Sequence, residues 1–201
     1  LSIRRQRQMC IRDRLTIRAA VAAGFTDLKL TGELSKTGIG GNWGTFINNK
    51  KITKCDLTGV TDWGTTPTLP ELAFANCTAL QEVTLPDDMK VIGTGAFSGC
   101  AALTTVNLSQ VTWINLNAFW GCTSLETLAL DNVTAIGQEA FYGCTGLETL
   151  KIPKCTQFGN YIVTGCKALT RIEATAAGDF VSISDGTTSI CLLYTSDAAD
   201  E

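Results

Sequence analysis

One spacing dominates this sequence. Phe74, Phe97, Phe119 and Phe141 recur 22 or 23 residues apart, and each is followed three residues on by Cys77, Cys100, Cys122 or Cys144, with Cys166 one period further. Three residues beyond each cysteine stands Leu80, Leu103, Leu125, Leu147 or Leu169. Then come Val83, Val106, Leu128, Leu150 and Ile172, and two residues after them Leu85, Leu108, Leu130, Ile152 and Ala174, before Ile92, Ile114, Ile136 and Phe158 open the next unit. A long fixed period carried by apolar positions argues against an ordinary globular core and for stacked coils, none of which can bury its apolar side alone.

The spacing inside a unit sets its local structure. Apolar residues at i and i+2, as in Val106 and Leu108, share one face of a short strand while Asn107 points the other way. In Ile92–Phe97 and Ile136–Phe141 the apolar residues stand four or five apart, which predicts a short helical or 3₁₀ segment on the opposite side of the coil. The expected class is therefore α/β, a solenoid of strand, turn, short helical segment and turn, with neighbouring strands paired at about 4.8 Å. The pattern reaches upstream: Ile52, Cys55 and Leu57 fit the register of Leu103, Val106 and Leu108, and Leu28 and Leu30 stand 27 residues before Cys55 and Leu57. Residues 15–69 read as an N-terminal cap and irregular coils, with Thr37–Asn42 a loop, and residues 70–175 as the solenoid. In residues 176–190, Phe180, Val181 and Ile183 read as one further, truncated strand.

The two ends read differently. Arg4–Asp13 can be encoded by a DNA segment whose reverse complement, in another frame, encodes Cys-Leu-Leu-Tyr-Thr-Ser-Asp-Ala-Ala-Asp, which is residues Cys191–Asp200. That segment resembles a transposase-type sequencing-library adapter, so residues 1–14 and 191–201 are expected to be adapter-derived and not native, and the chain a metagenomic fragment. Setting them aside removes the basic N-terminus and leaves 11 basic and 15 acidic side chains.

Composition excludes several functions. The chain has no histidine, which removes Ser-His-Asp and Cys-His catalysis, His-ligated zinc and histidine pH switches. A formal net charge of -3 gives no general attraction to nucleic acid, and no apolar run approaches the roughly 18 residues of a membrane span. No phosphate-binding glycine loop follows a strand, since Gly38–Gly41 lies in the wrong context. No catalytic, cofactor-binding or metal-binding residue is expected.

The motif Ile-Gly-x-x-Ala-Phe-x-Gly-Cys-x-x-Leu, carried by Ile92–Leu103 and again by Ile136–Leu147, resembles the BspA-type, or treponemal-type, leucine-rich repeat. Asn115-Leu116 departs from it in place of Gly-x, and Ile162-Val163 in place of Ala-Phe. The resemblance implies a right-handed leucine-rich-repeat solenoid in a bacterial cell-surface or secreted protein. The implied role is adhesion by binding proteins, host extracellular ones among them, or glycans. The alternative is a structural spacer carrying an effector or enzyme domain outside this fragment.

Three features are weighed as sites. The cysteine column reads either as thiols for metal, disulfide or redox chemistry or as small buried apolar residues in tight turns; C-x-x-C pairs, the usual zinc signature, are missing. Trp120 and Tyr142 follow the repeat phenylalanines at a position that varies between units, and Trp113 occupies another, so they read as an exposed aromatic patch on adjacent coils or as rings tucked against loops. The outward strand row contains Asn107 and Lys151, which with Trp113, Trp120 and Tyr142 complete the candidate ligand-binding surface.

Overall fold

The computed structural model describes residues 9–11, 19–33, 46–61, 63–174 and 191–194. The strands are, in chain order, β1 (Met9–Ile11), β2 (Asp27–Glu33), β3 (Lys54–Thr61), β4 (Thr68–Leu69), β5 (Glu82–Thr84), β6 (Val91–Ile92) and β7 (Thr105–Val106). There follow β8 (Trp113–Ile114), β9 (Thr127–Ala129), β10 (Ala135–Ile136), β11 (Thr149–Lys151), β12 (Gln157–Phe158), β13 (Arg171–Ala174) and β14 (Cys191–Tyr194). Every pairing between them is parallel. Helix is confined, among the described residues, to one turn at residues 19–22.

The chain is a repeat solenoid whose coils stack in the register the sequence repeats. On the first face Leu28, Cys55, Val83 and Val106 lie in line, and so do Leu128, Leu150 and Ile172. On the second face Leu69, Ile92, Ile114, Ile136 and Phe158 form one continuous line through β4, β6, β8, β10 and β12. The first face is interrupted once: β7 and β9, on successive coils, belong to different sheets.

The second side of the coil differs from the helical expectation. Each Ile of the Ile-Gly motif lies in a two-residue strand, followed by a ribbon of turns with alternating hydrogen bonds. Ala96, Ser98 and Cys100 donate backbone N–H groups to the carbonyls three residues back, at 3.0 to 3.1 Å, while Gly95, Phe97 and Gly99 donate across to Leu116, Ala118 and Trp120 of the next coil at 2.7 to 2.9 Å. A helix is stopped by two left-handed residues in each ribbon, Gly95 and Gly99 in one (φ 59° and 73°), Asn117 and Gly121 in the next (54° and 69°). Every second donor is thereby turned to the neighbouring coil, and the backbone of an otherwise irregular segment is satisfied.

The core is a column and not a globule. Phe74, Phe97, Phe119 and Phe141 are fully buried and stack face to face, with centroids 5.2 to 5.6 Å apart and planes within 18°. Phe46 begins the stack, tilted by 46° at 5.1 Å from Phe74. Among the described residues the buried set contains no polar or charged side chain, so cohesion along the column is apolar burial plus the backbone ladders. Coils approach closely enough to require glycine: a Cβ at Gly137 would sit 2.5 Å from the backbone nitrogen of Leu116.

Both terminal segments extend the first face. β1 pairs with β2, Met9 opposite Leu28 and Ile11 opposite Leu30, and β14 pairs with β13, Ile172 opposite Leu192. The expected strand at Phe180, Val181 and Ile183 lies outside the described residues.

Candidate interaction surface

The two faces of the solenoid carry different chemistry. On the first face, charged side chains are paired between neighbouring coils: Lys29 with Asp56 at 2.7 Å, Lys54 with Glu82 at 2.5 Å, and Lys151 with Glu173 at 3.3 Å, where Arg171 also reaches Glu173 at 2.8 Å. Parallel in-register stacking places residues one period apart side by side, so opposite charges at equivalent positions meet. Glu82, by hydrogen bond and charge, holds the Lys54 ammonium above its ordinary value. Partial burial pushes Asp56 up, but the Lys29 ammonium with the Thr58 hydroxyl and amide outweighs it and leaves the carboxyl below its ordinary value.

Asn107 belongs to this paired system. Its Oδ1 accepts the Leu85 backbone N–H at 2.6 Å and its Nδ2 donates to the Leu85 carbonyl at 2.9 Å. The amide thus mimics a strand residue where β7 is too short to continue the ladder. Lys151 is tied to Glu173 in the same way. These two candidates therefore lie on one face, both engaged within the protein, and Trp113, Trp120 and Tyr142 lie elsewhere.

Trp113 is on β8, between Val91 and Ala135 in the adjoining strands, and half of its surface is exposed, because neither neighbour is large enough to cover the indole. Trp120 and Tyr142 occupy equivalent positions in consecutive turn ribbons. Their rings are parallel within 6° with centroids 6.1 Å apart, and both are exposed. The backbone sets this geometry: Gly99 N–H donates to the Trp120 carbonyl and Gly121 N–H to the Tyr142 carbonyl, each at 2.7 Å, which locks consecutive ribbons in register. Asn117 Oδ1, in the Trp120 ribbon, and Thr164 Oγ1, in the ribbon after that of Tyr142, are buried and have no hydrogen-bond partner among the described residues.

Two further exposed apolar side chains, Leu116 and Tyr161, join this side. The sequence signal for Leu116 was the departure from Gly-x itself, an apolar residue where other units carry Thr94, Gln138 or Asn160. Tyr161 stands at a left-handed position, φ 59°, which other units fill with Leu72, Gly95, Asn117 or Glu139. A large ring at a left-handed site is the readable mark.

The cysteine column has a use that spacing alone did not show. Cys77 Sγ donates to the Phe46 carbonyl at 2.8 Å, Cys100 to Phe74 at 3.0 Å, and Cys122, Cys144 and Cys166 to Phe97, Phe119 and Phe141 at 3.1 Å. Each thiol is a small buried group and also an S–H donor to the preceding coil. Burial pushes Cys77 up to about 12 and raises Cys55, Cys100 and Cys122; Cys144 is raised by its hydrogen bond with Cys166 and by burial. Such thiols stay protonated at neutral pH, the form least suited to attack or metal ligation. The seven cysteines among the residues with described side chains are free, and no group of potential ligands able to hold a metal occurs among the described residues.

The profile of the family described as "BspA type Leucine rich repeat region" matches residues 45–170 in six copies. No curated protein matches the chain. Among solved structures the chain is similar to a Treponema pallidum leucine-rich-repeat protein, with 21% identity over 86% of this chain and 66% of that one and a TM-score of 0.49. It is also similar to the pneumococcal vaccine antigen PcpA (18%, 73% and 40%, TM-score 0.49) and to a leucine-rich cell surface protein of Faecalibacterium prausnitzii (21%, 84% and 43%, TM-score 0.43). The chain thus spans two thirds or less of the length of each of these three. With a profile that covers more than half of its residues and a strand register that follows the repeat coil by coil, this chain belongs to the BspA-type leucine-rich-repeat family.

Proposed function

We propose that this chain is a non-catalytic interaction module of a bacterial surface or secreted protein, and that it binds a partner protein or its glycans through the side bearing Trp113, Trp120 and Tyr142. One observation carries this reading. Every large hydrophobic side chain exposed among the described residues, Trp113, Leu116, Trp120, Tyr142 and Tyr161, comes from the second-face strands and turn ribbons of three consecutive coils. The first face contributes none, and its strands pair Lys29 with Asp56, Lys54 with Glu82 and Lys151 with Glu173. Exposed aromatic groups held rigidly at neighbouring positions supply contact area at little conformational cost, which is what binding surfaces use. The surface or secreted placement follows the family. Among the described residues no helix is long and apolar enough to cross a membrane.

The test is a panel of purified extracellular glycoproteins and an array of free glycans, probed with the chain and with its Trp113→Ala, Trp120→Ala and Tyr142→Ala variants. The reading expects a partner whose binding falls at least about tenfold in the variants at an unchanged melting temperature. A chain that binds nothing on either panel, or binds equally without the rings, is a spacer.

A further inference from the structure

The eight-residue strand β3 outruns the strand that follows it. β5 pairs with β3 only along Lys54–Asp56, whereas on the opposite side β2 pairs as far as Thr61. The cause is in the sequence. After Thr84 the chain enters Leu85-Pro86 and turns, closed by a bond from Met89 N–H to the Pro86 carbonyl at 3.1 Å, and a proline has no N–H to carry a ladder onward. Among the described residues, the segment Leu57–Thr61 therefore has a strand on one side only.

Beside that half-paired edge lies a cleft of about 590 Å³, whose lining includes Val60, Trp63, Pro86, Thr61, Asp87 and Asp88. The Trp63 indole N–H donates to the Val60 carbonyl at 3.0 Å, fixing the ring at the end of the strand. Asp87 and Asp88 are exposed and form no ion pair with any described residue, although Asp56, Glu82 and Glu173 on the same face are all paired. A half-paired strand edge, with its Thr58 N–H held by Asp56 Oδ1 at 2.9 Å and its Val60 carbonyl by the Trp63 indole, thus meets an apolar wall and uncompensated negative charge in one cleft of ligand-binding size.

We propose that this cleft docks an extended segment of a partner protein as an added strand along Leu57–Thr61, in the lane β5 occupies beside Lys54–Asp56. An exposed strand edge is a template for such pairing. Residues on alternate sides of the docked segment meet different walls: apolar ones face Val60, Trp63 and Pro86, and basic ones face Asp87 and Asp88. The segment recognised is one in which apolar and Lys or Arg residues alternate. This site is separate from the aromatic surface, so either can fail without the other.

The probe is a fluorescein-labelled Val-Lys-Val-Lys-Val-Lys peptide, titrated into the full chain by anisotropy beside two controls: the same peptide with Glu for Lys, and the same peptide N-methylated at alternate amides. Both controls are expected to bind at least about tenfold more weakly, the first through charge and the second through lost backbone bonds. The exposed Asp87→Lys/Asp88→Lys variant is expected to lose the basic peptide by a similar factor with its melting temperature unchanged. Hydrogen exchange is expected to slow at Leu57–Thr61 in the complex. The proposal is overturned if the basic peptide does not bind, if N-methylation or the double variant leaves binding intact, or if the protection appears at another edge such as β14.

Discussion

The thiol of Cys122 donates to the carbonyl of Phe97 in the preceding coil, 3.1 Å away, and that same carbonyl accepts the backbone N–H of Cys100 at 3.1 Å. One oxygen with two donors therefore joins a turn to the coil stacked on it, and the equivalent thiol contact recurs at five levels. Both Cys122→Ala and Cys122→Val remove this donor and should destabilise the protein, valine more than alanine. Alanine removes volume and a weak donor, at a cost of about 1–2 kcal/mol; valine removes the donor and adds a branched carbon to a closed column, at a cost of about 2–3 kcal/mol. Urea denaturation of both variants checks the order, and a valine variant as stable as the parent would make the residue a mere space filler.

Alkaline pH should loosen the column. Burial holds the folded Cys55, Cys77, Cys100 and Cys122 thiols above the unfolded value of 9.0, with Cys77 at about 12. Below pH 9 both states hold the proton and the stabilising contribution is complete. Between 9 and 12 the unfolded chain releases protons that the folded chain retains, so each such thiol lowers stability by about 1.4 kcal/mol per pH unit. Denaturant midpoints between pH 8 and 11 should fall steeply, and a thiol reagent at pH 8 should leave the column unmodified until the protein is unfolded. Rapid labelling of the native protein would contradict the burial argument.

Two glycines separate two causes of strain. Gly121 is left-handed, φ 69°, with open space where a Cβ would point, so Gly121→Ala should cost only the backbone term, about 1–2 kcal/mol. At Gly137 the added carbon meets the Leu116 backbone at 2.5 Å, and neither partner is a side chain able to swing away. Gly137→Ala should therefore cost more than Gly121→Ala and should separate coils, a difference that calorimetry of the two variants measures.

Met9–Ile11 and Cys191–Tyr194 occupy the outer lanes of the strand ladder, paired among the described residues only on their inner sides. An open parallel edge accepts any extended segment with backbone to offer, which is how residues read as adapter-derived come to lie in register. Removing residues 1–14 and 191–201 is expected to leave the far-UV spectrum and the protection of the Cys122 thiol in place, while the uncovered edges of β2 and β13 promote self-association seen in sedimentation. Loss of the spectrum would show that these segments act as indispensable caps.

The repeat by itself determined the solenoid, the buried column, and the register that places Leu28, Cys55, Val83 and Val106 in line. Each of these follows from periodic apolar residues, which have to share one interior whatever the turns between them do. Stacking decided the rest. Two-residue strands such as Val91–Ile92 are too short for alternation to reveal, and the expected helical segment gives way to a turn ribbon because every second N–H finds a carbonyl on the next coil. The thiol contact to a phenylalanine carbonyl 25 to 31 residues back, the capture of Asn107 by Leu85, and the division of the candidate surface between two faces share that origin. All are contacts between residues a full coil apart, and only the tertiary structure brings those residues within bonding distance.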